Sequence, residues 1–305
     1  MKNKDKSKGR CGFCVLVGRP NVGKSTFLNS IFGKKLSIIS QVPQTTRFSI
    51  RAIYNDERGQ IVFIDTPGIY LSNKHLVKFL SSRSFSAKDE ADMVIYMVDI
   101  SRSPGKEEQE VLESLRDFKG PVIMLLNKRD LGQQYADDYI GLWKQTVEDK
   151  NDKLKYFIPI SSLEKKGLDD ALSAIFENLP QSPPLYPPDI ESDLPDKLFI
   201  SDIIREKIFA HMKKEVPHSV AVKVDAIEER RNNVLFIQAT IIVERGSQKA
   251  IVIGKRGNML KEVGREARTE LEKIFEKRIF LDLWVKVHKN WQKDIHTLKE
   301  LGYIT

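Results

Sequence analysis

The sequence predicts a doubly wound α/β domain on a mostly parallel sheet, followed by a smaller α+β domain. Three observations carry this. Before residue 180, short β-branched and aromatic runs alternate with stretches of helical period, the pattern of a parallel sheet covered on both faces. After residue 196 the order becomes helix, two strands, two helices, strand. Between the two regions, residues 180–195 hold six of the 13 prolines, which neither a helix interior nor a central strand accepts.

Taken in order, residues 1–10 carry five cations and one acid and are expected to form a disordered basic tail. The first domain spans 11–180. Its strands are read at Phe13–Val17, Gln60–Ile64, Met93–Val98, Val122–Leu126 and Tyr156–Ile160, each short and apolar as buried parallel strands are. Helices fall between them, among them Lys24–Phe32, Glu107–Phe118 and Leu168–Leu179. Cys11 and Cys14 form a lone C-x-x-C. A zinc site needs four ligands, and no second pair stands at ligand spacing, so Cys14 reads as a buried strand residue.

Residues 181–196 hold four acids and no cation and read as a stiff, extended linker. The second domain spans 197–289. It reads as a helix Lys197–Lys214, strands Val220–Ile227 and Val234–Glu244 joined by a turn over Glu229–Asn233, helices Gln248–Ile253 and Asn258–Phe275 broken at Gly254–Gly257, and a strand Ile279–Val287. Residues 290–305 form a tail, helical from Asn290 to Leu301.

At 305 residues and 41% hydrophobic, the chain can bury two cores. No apolar run reaches the ~18 residues of a membrane-spanning helix. The cations at the start are not followed by the apolar stretch of a signal peptide, so a cytoplasmic protein is expected. The net charge is +8. Residues 197–305 contribute 22 cations against 15 acids, a bias that suits a polyanionic partner as well as a merely solvated surface.

Gly18-Arg19-Pro20-Asn21-Val22-Gly23-Lys24-Ser25 fits G-x-x-x-x-G-K-[ST] and joins a strand to a helix, the context that a phosphate-binding P-loop requires. The glycines let the loop wrap so that its N–H groups meet phosphate oxygens, and the helix N-terminus adds partial positive charge. Lys24 reaches the β- and γ-phosphates, and the Ser25 hydroxyl serves Mg²⁺. Thr26 completes the stretch. Asp65-Thr66-Pro67-Gly68 closes a strand. Asp65 can hold Mg²⁺, and the Gly68 N–H can meet the γ-phosphate.

Asn127-Lys128-Arg129-Asp130 ends the next-but-one strand. Asp130 accepts from N1–H and the 2-amino group of guanine, donors that adenine lacks, so the nucleotide is GTP or GDP. Ser161-Ser162-Leu163 presents N–H groups to the base. In Gln44-Thr45-Thr46-Arg47, either Thr45 or Thr46 closes over Mg²⁺ when the γ-phosphate is present.

Many such domains place glutamine after the D-x-x-G glycine to orient water. Here Ile69 stands there, so unassisted hydrolysis is expected on the order of 10⁻³ s⁻¹ or below. Asn21 is a candidate K⁺ ligand that would assist it.

Gly254-Lys255-Arg256-Gly257 is a G-x-x-G between two helices, within the αββααβ order of a type II KH domain. The glycines admit a nucleic-acid backbone, and a groove beside them takes about four nucleotides. Lys255, Arg256, Lys249 and Lys261 supply cations. Ile251, Ile253 and Leu260 either line the base groove or belong to the core.

With these motifs together, from Phe13 to Tyr303, the chain resembles the Era family of bacterial GTPases. The resemblance rests on GRPNVGKST at 18–26, QTTR at 44–47, DTPG at 65–68, NKRD at 127–130, VIGKRG at 252–257 and LWVKV at 283–287. It implies an α/β P-loop GTPase domain followed by an α+β type II KH domain, in a monomer using GTP, GDP and Mg²⁺. It also implies binding near the 3′ end of small-subunit rRNA, a role in assembling the 30S ribosomal subunit, and peripheral contact with the inner membrane. Ser162 departs from the family's usual alanine. A membrane-associated GTPase whose basic surfaces read anionic lipid is the alternative, as is an RNA-binding module whose hydrolysis is incidental.

Overall fold

The computed structural model describes residues 9–39, 50–65, 91–147, 153–212 and 219–304. The chain divides into two compact units, with the division at Asp193/Leu194 and with Ile38 and Ile39 counted in the second.

The first unit contains β1 (Arg10–Val17), α1 (Lys24–Phe32), β2 (Ile50–Asp56), β3 (Gly59–Asp65), β4 (Met93–Asp99), α2 (Lys106–Leu115), β5 (Val122–Asn127), α3 (Ala136–Val147), β6 (Leu154–Pro159) and α4 (Leu168–Asn178). Its sheet runs β2-β3-β1-β4-β5-β6. All pairings are parallel except β2 with β3. Successive side chains of a strand face opposite layers. Cys14 and Leu16 of β1 therefore join α1 and α4 in one core, while Val15 and Val17 join α2 and α3 in the other. Strand order reverses at β1, which lies between β3 and β4, and the crevice at that switch point is where such sheets bind ligands.

Two features differ from the sequence reading. Strand β2 was not expected; it pairs antiparallel along the whole of β3. The proline-rich stretch is not a free spacer, because it is fastened to the first unit along the edge of the sheet. Buried Gln60 accepts from the N–H groups of Leu185 and Tyr186 (2.8 and 2.9 Å) and donates to the Tyr186 carbonyl (2.8 Å). The outer edge of β2 is met by Glu191 and Asp193, which accept from the N–H groups of Ile53 and Arg51 (both 2.9 Å).

The second unit contains α5 (Asp196–His211), β7 (Ala221–Arg230), β8 (Val234–Val243), α6 (Gly246–Ile253), α7 (Asn258–Phe275), β9 (Arg278–Val287) and α8 (Ile295–Glu300). Up to β9 this is the expected αββααβ order. The sheet runs β7-β8-β9, antiparallel then parallel. One face is buried against α5 and α7 through Ile203, Ile204, Val263, Ala267 and Leu271. Beyond β9, Trp291 and Tyr303 are buried, and Trp291 donates to the Ser219 carbonyl (2.9 Å).

Candidate functional site

The loop from Gly18 to Gly23 leaves β1 and opens α1. Gly23 holds φ +106, and a Cβ there would stand 2.3 Å from the amide nitrogen of Asn127, so only glycine fits. Asn21 also takes a left-handed φ of 64. Lys24 is buried and donates to the carbonyls of Gly18 and Arg19 (both 3.0 Å). Desolvation pushes its ammonium down to about 8, against the upward pull of Asp65. A phosphate in the loop would relieve that cost. Arg19 does not reach toward this space. Its side chain is buried, ion-paired with Glu108 of α2 (2.5 Å), and donates to the Tyr139 hydroxyl of α3 (3.3 Å). Pro20 and Val22 are buried and Thr26 is half-buried.

Asp65 ends β3 facing Ser25. Its Oδ2 accepts from the hydroxyls of Ser25 (3.2 Å) and Ser37 (3.1 Å), while its buried Oδ1 has no hydrogen-bond partner among the described residues. Burial raises its carboxyl above the ordinary value, with Lys24, Ser37 and Ser25 pulling it down. A buried carboxylate with an unmet oxygen beside a serine hydroxyl suits a hard divalent cation, so Ser25 and Asp65 fit Mg²⁺. Asn29 of α1 holds Ser37 in place: its Oδ1 accepts from Ser37 N–H (3.0 Å), and its amide donates to the Ser37 carbonyl (2.7 Å). Thr45, Thr46, Thr66, Pro67, Gly68 and Ile69 lie outside the described residues.

The residues read as the base site gather at the ends of β5 and β6. Asn127 donates to the Val22 carbonyl (2.7 Å) and accepts from both Ser162 N–H (2.9 Å) and Ser162 hydroxyl (3.0 Å), which ties the P-loop to the base loop. Serine in place of the family's alanine thus adds a strut. Lys128, at φ 67, donates to Asp99 (2.8 Å) at the end of β4, and Asp99 also accepts from Ser101 N–H (3.1 Å) and hydroxyl (2.6 Å). Asp130 accepts from the Ser161 hydroxyl at 2.5 Å. Leu163 is exposed. Asp99, Ser101, Ser37, Asn29 and Glu108 were missed in the sequence. Only Asp99 and Ser101 left a signal there: polar residues where a buried strand ends.

In the second unit, α6 stops at Gly254 (φ +73) and α7 starts after Gly257 (φ +77). Lys255 and Arg256 are exposed between them. An open groove beside this turn is lined by Gly257, by Leu260, Lys261, Gly264, Arg265 and Arg268 of α7, and by Leu281 and Leu283 of β9. Ile251 is exposed and Ile253 half-buried on α6, and neither lines this groove. The β9 wall was not anticipated.

A P-loop, an N-K-x-D motif and a G-x-x-G turn in a KH topology define a GTPase joined to a KH module. Residues 13–128 match the family model of the 50S ribosome-binding GTPases, and residues 215–292 match the KH domain. GTPase Era of Geobacter metallireducens is 43% identical over 96% of this chain and 98% of its own. GTPase Era of Carboxydothermus hydrogenoformans is 40% identical over 96% and 98%. A crystal structure of Era with MgGDPNP and nucleotides 1506–1542 of 16S ribosomal RNA aligns with a TM-score of 0.89 at 36% identity, covering 97% of this chain and all of that one. A single-residue variant of Aquifex aeolicus Era bound to GDP·AlF4⁻ aligns at 0.88 and 36%, with the same coverage. The chain belongs to the Era family of GTPases.

Proposed function

We propose that this GTPase is a switch on RNA: it binds the 3′-end region of small-subunit rRNA through the G-x-x-G groove and acts in assembly of the 30S subunit. The observation that carries the reading is a cationic, leucine-lined groove beside Lys255 and Arg256, on the same chain as a complete nucleotide loop. The relative captured with MgGDPNP and a 16S rRNA segment supports it. In this reading Lys24 and the loop N–H groups hold the phosphates, and Asp130 selects guanine. Ser25, Asp65 and one of Thr45 and Thr46 hold Mg²⁺, which supplies charge neutralisation at the phosphates. Ile69 cannot orient water, so hydrolysis is slow without help. K⁺ held at Asn21 is one source of help, tested by exchanging K⁺ for Na⁺; an unchanged rate dismisses it.

The test is Lys255→Asp with Arg256→Asp. Affinity for an oligonucleotide of the small-subunit rRNA 3′ end should fall at least ~10-fold as phosphate contacts are lost, with GTP affinity unchanged. Retained RNA binding would refute the groove assignment. Loss of binding to anionic vesicles in place of RNA would favour peripheral attachment to the inner membrane.

A further inference from the structure

Strand β9 serves two surfaces. Leu281 and Leu283 line the groove beside the G-x-x-G turn. The alternate residues Phe280, Asp282 and Trp284 point to the opposite face of the sheet, which α5 and α7 do not cover. Phe280 is 58% exposed and Trp284 61%. These values are high for large aromatics, which usually bury most of their surface.

The face is ordered. Phe280 stacks on its register partner Phe236 of β8, with ring centroids 5.8 Å apart and planes at 19°. The Arg230 guanidinium lies over the Phe236 ring, 3.5 Å from its centroid. The Trp284 indole N–H donates to Asp282 (2.9 Å), which also accepts from Gln238 (3.3 Å). Those bonds fix the indole in one orientation and engage the acid beside it. Exposed Arg278 and Lys286 continue the same alternation along β9.

We propose that this aromatic face is a stacking platform for the bases of single-stranded RNA leaving the groove. It extends the footprint beyond the four or so nucleotides that a KH groove holds. The proposal rests on the RNA reading above. β9 is an edge strand, so a strand lying against Leu281 and Leu283 need only round that edge to meet Phe280 and Trp284. Exposed rings beside cations are what unpaired bases and their phosphates recognise. The acids of the face are occupied: Asp282 as above, Asp225 by Thr240 (2.7 Å), and Glu228 within 3.9 Å of Arg230. The LWVKV signature at 283–287 thereby gains a use, one wall residue of the groove beside one platform residue.

Of the three tryptophans, Trp143 and Trp291 are buried, so acrylamide quenching of indole fluorescence reads Trp284. The experiment compares an unpaired tetranucleotide and decanucleotide from the small-subunit rRNA 3′ end. The decamer should shield Trp284 and bind at least ~10-fold tighter, a gain within what stacking supplies. Phe280→Ala with Trp284→Ala should remove that gain and leave tetranucleotide binding and GTP affinity unchanged. Trp284→Phe, which keeps a ring, should retain most of it. Undiminished quenching with the decamer bound, or wild-type decamer affinity in the double variant, overturns the platform. If the wild type binds neither oligonucleotide, or the Lys255/Arg256 variant binds both normally, the groove reading fails and the platform falls with it.

Discussion

Asp130 accepts from Ser161 at 2.5 Å, a bond that aims the carboxylate without exhausting it, since an ionised carboxylate has about four acceptor positions. Asp130→Asn should move preference from GTP to XTP, because the 2-oxo group of xanthine accepts from the new amide. Competition binding reads this, and a variant that still strongly prefers GTP would remove Asp130 from the base site. Asp99 makes a different prediction. Burial pushes its carboxyl up, but hydrogen bonds and charge from Lys128 and Ser101 outweigh this and hold it below the ordinary 3.8. A lowered acid stabilises the fold above its unfolded value, and that contribution is lost as pH falls through the folded one. Denaturant titrations from pH 6 to pH 2.5 should therefore show a shallower acid loss for Asp99→Asn than for wild type; identical slopes would contradict the linkage. Asp130 was proposed from its motif, whereas Asp99 left only the signal of a polar residue where a buried strand ends. Guanine recognition asks for a carboxylate at a fixed place in a motif, whereas Lys128, the charged partner of Asp99, stands 29 residues away and is met only on folding. Arg19 shows the same limit: the motif named it as a loop residue, but its anchors Glu108 and Tyr139 sit on two later helices.

Elements with a strong period were readable. Lys24–Phe32 and Asn258–Phe275 stand where the sequence placed them, the second because its apolar stripe recurs at Val263, Ala267 and Leu271. β2 was not readable, because Ile50–Asp56 is mixed in polarity and takes its meaning from pairing with β3. The proline-rich stretch was legible as extended. Its docking was not, since Gln60, Ile53 and Arg51 provide the partners. The turn between α6 and α7 separates two roles of glycine. Gly254 holds φ +73, and a Cβ there would lie 2.5 Å from Cβ of Met259. Gly257 holds φ +77 with nothing within 4 Å. Gly257→Ala should cost about 1 kcal/mol of stability, the backbone penalty alone. Gly254→Ala adds a clash and should cost about 2 kcal/mol or more. Both should weaken RNA binding, Gly257→Ala by blocking the close approach of the nucleic-acid backbone. Chemical denaturation beside RNA titration separates the effects. Equal destabilisation would contradict the turn geometry.

At the scale of the whole molecule, the P-loop and the G-x-x-G turn lie on separate units, so the proposed switch needs coupling between them. Coupling is a free energy, so it must act equally in both directions. If a nonhydrolysable GTP analogue tightens RNA binding about 5-fold or more relative to GDP, RNA must raise the analogue's affinity over GDP by that same factor. Rates carry no such constraint, so RNA can accelerate hydrolysis by a different factor. The measurement is a closed cycle of four affinities at two salt concentrations. Salt should weaken every RNA leg, because bound cations release counterions from phosphate. The ratio between nucleotide states should change far less with salt, because both states present the same cationic groove. A ratio of one at both salts would mean two independent modules on one chain. A ratio that collapses with salt would mean that the nucleotide acts by its charge at a distance, without selecting a conformation of the groove.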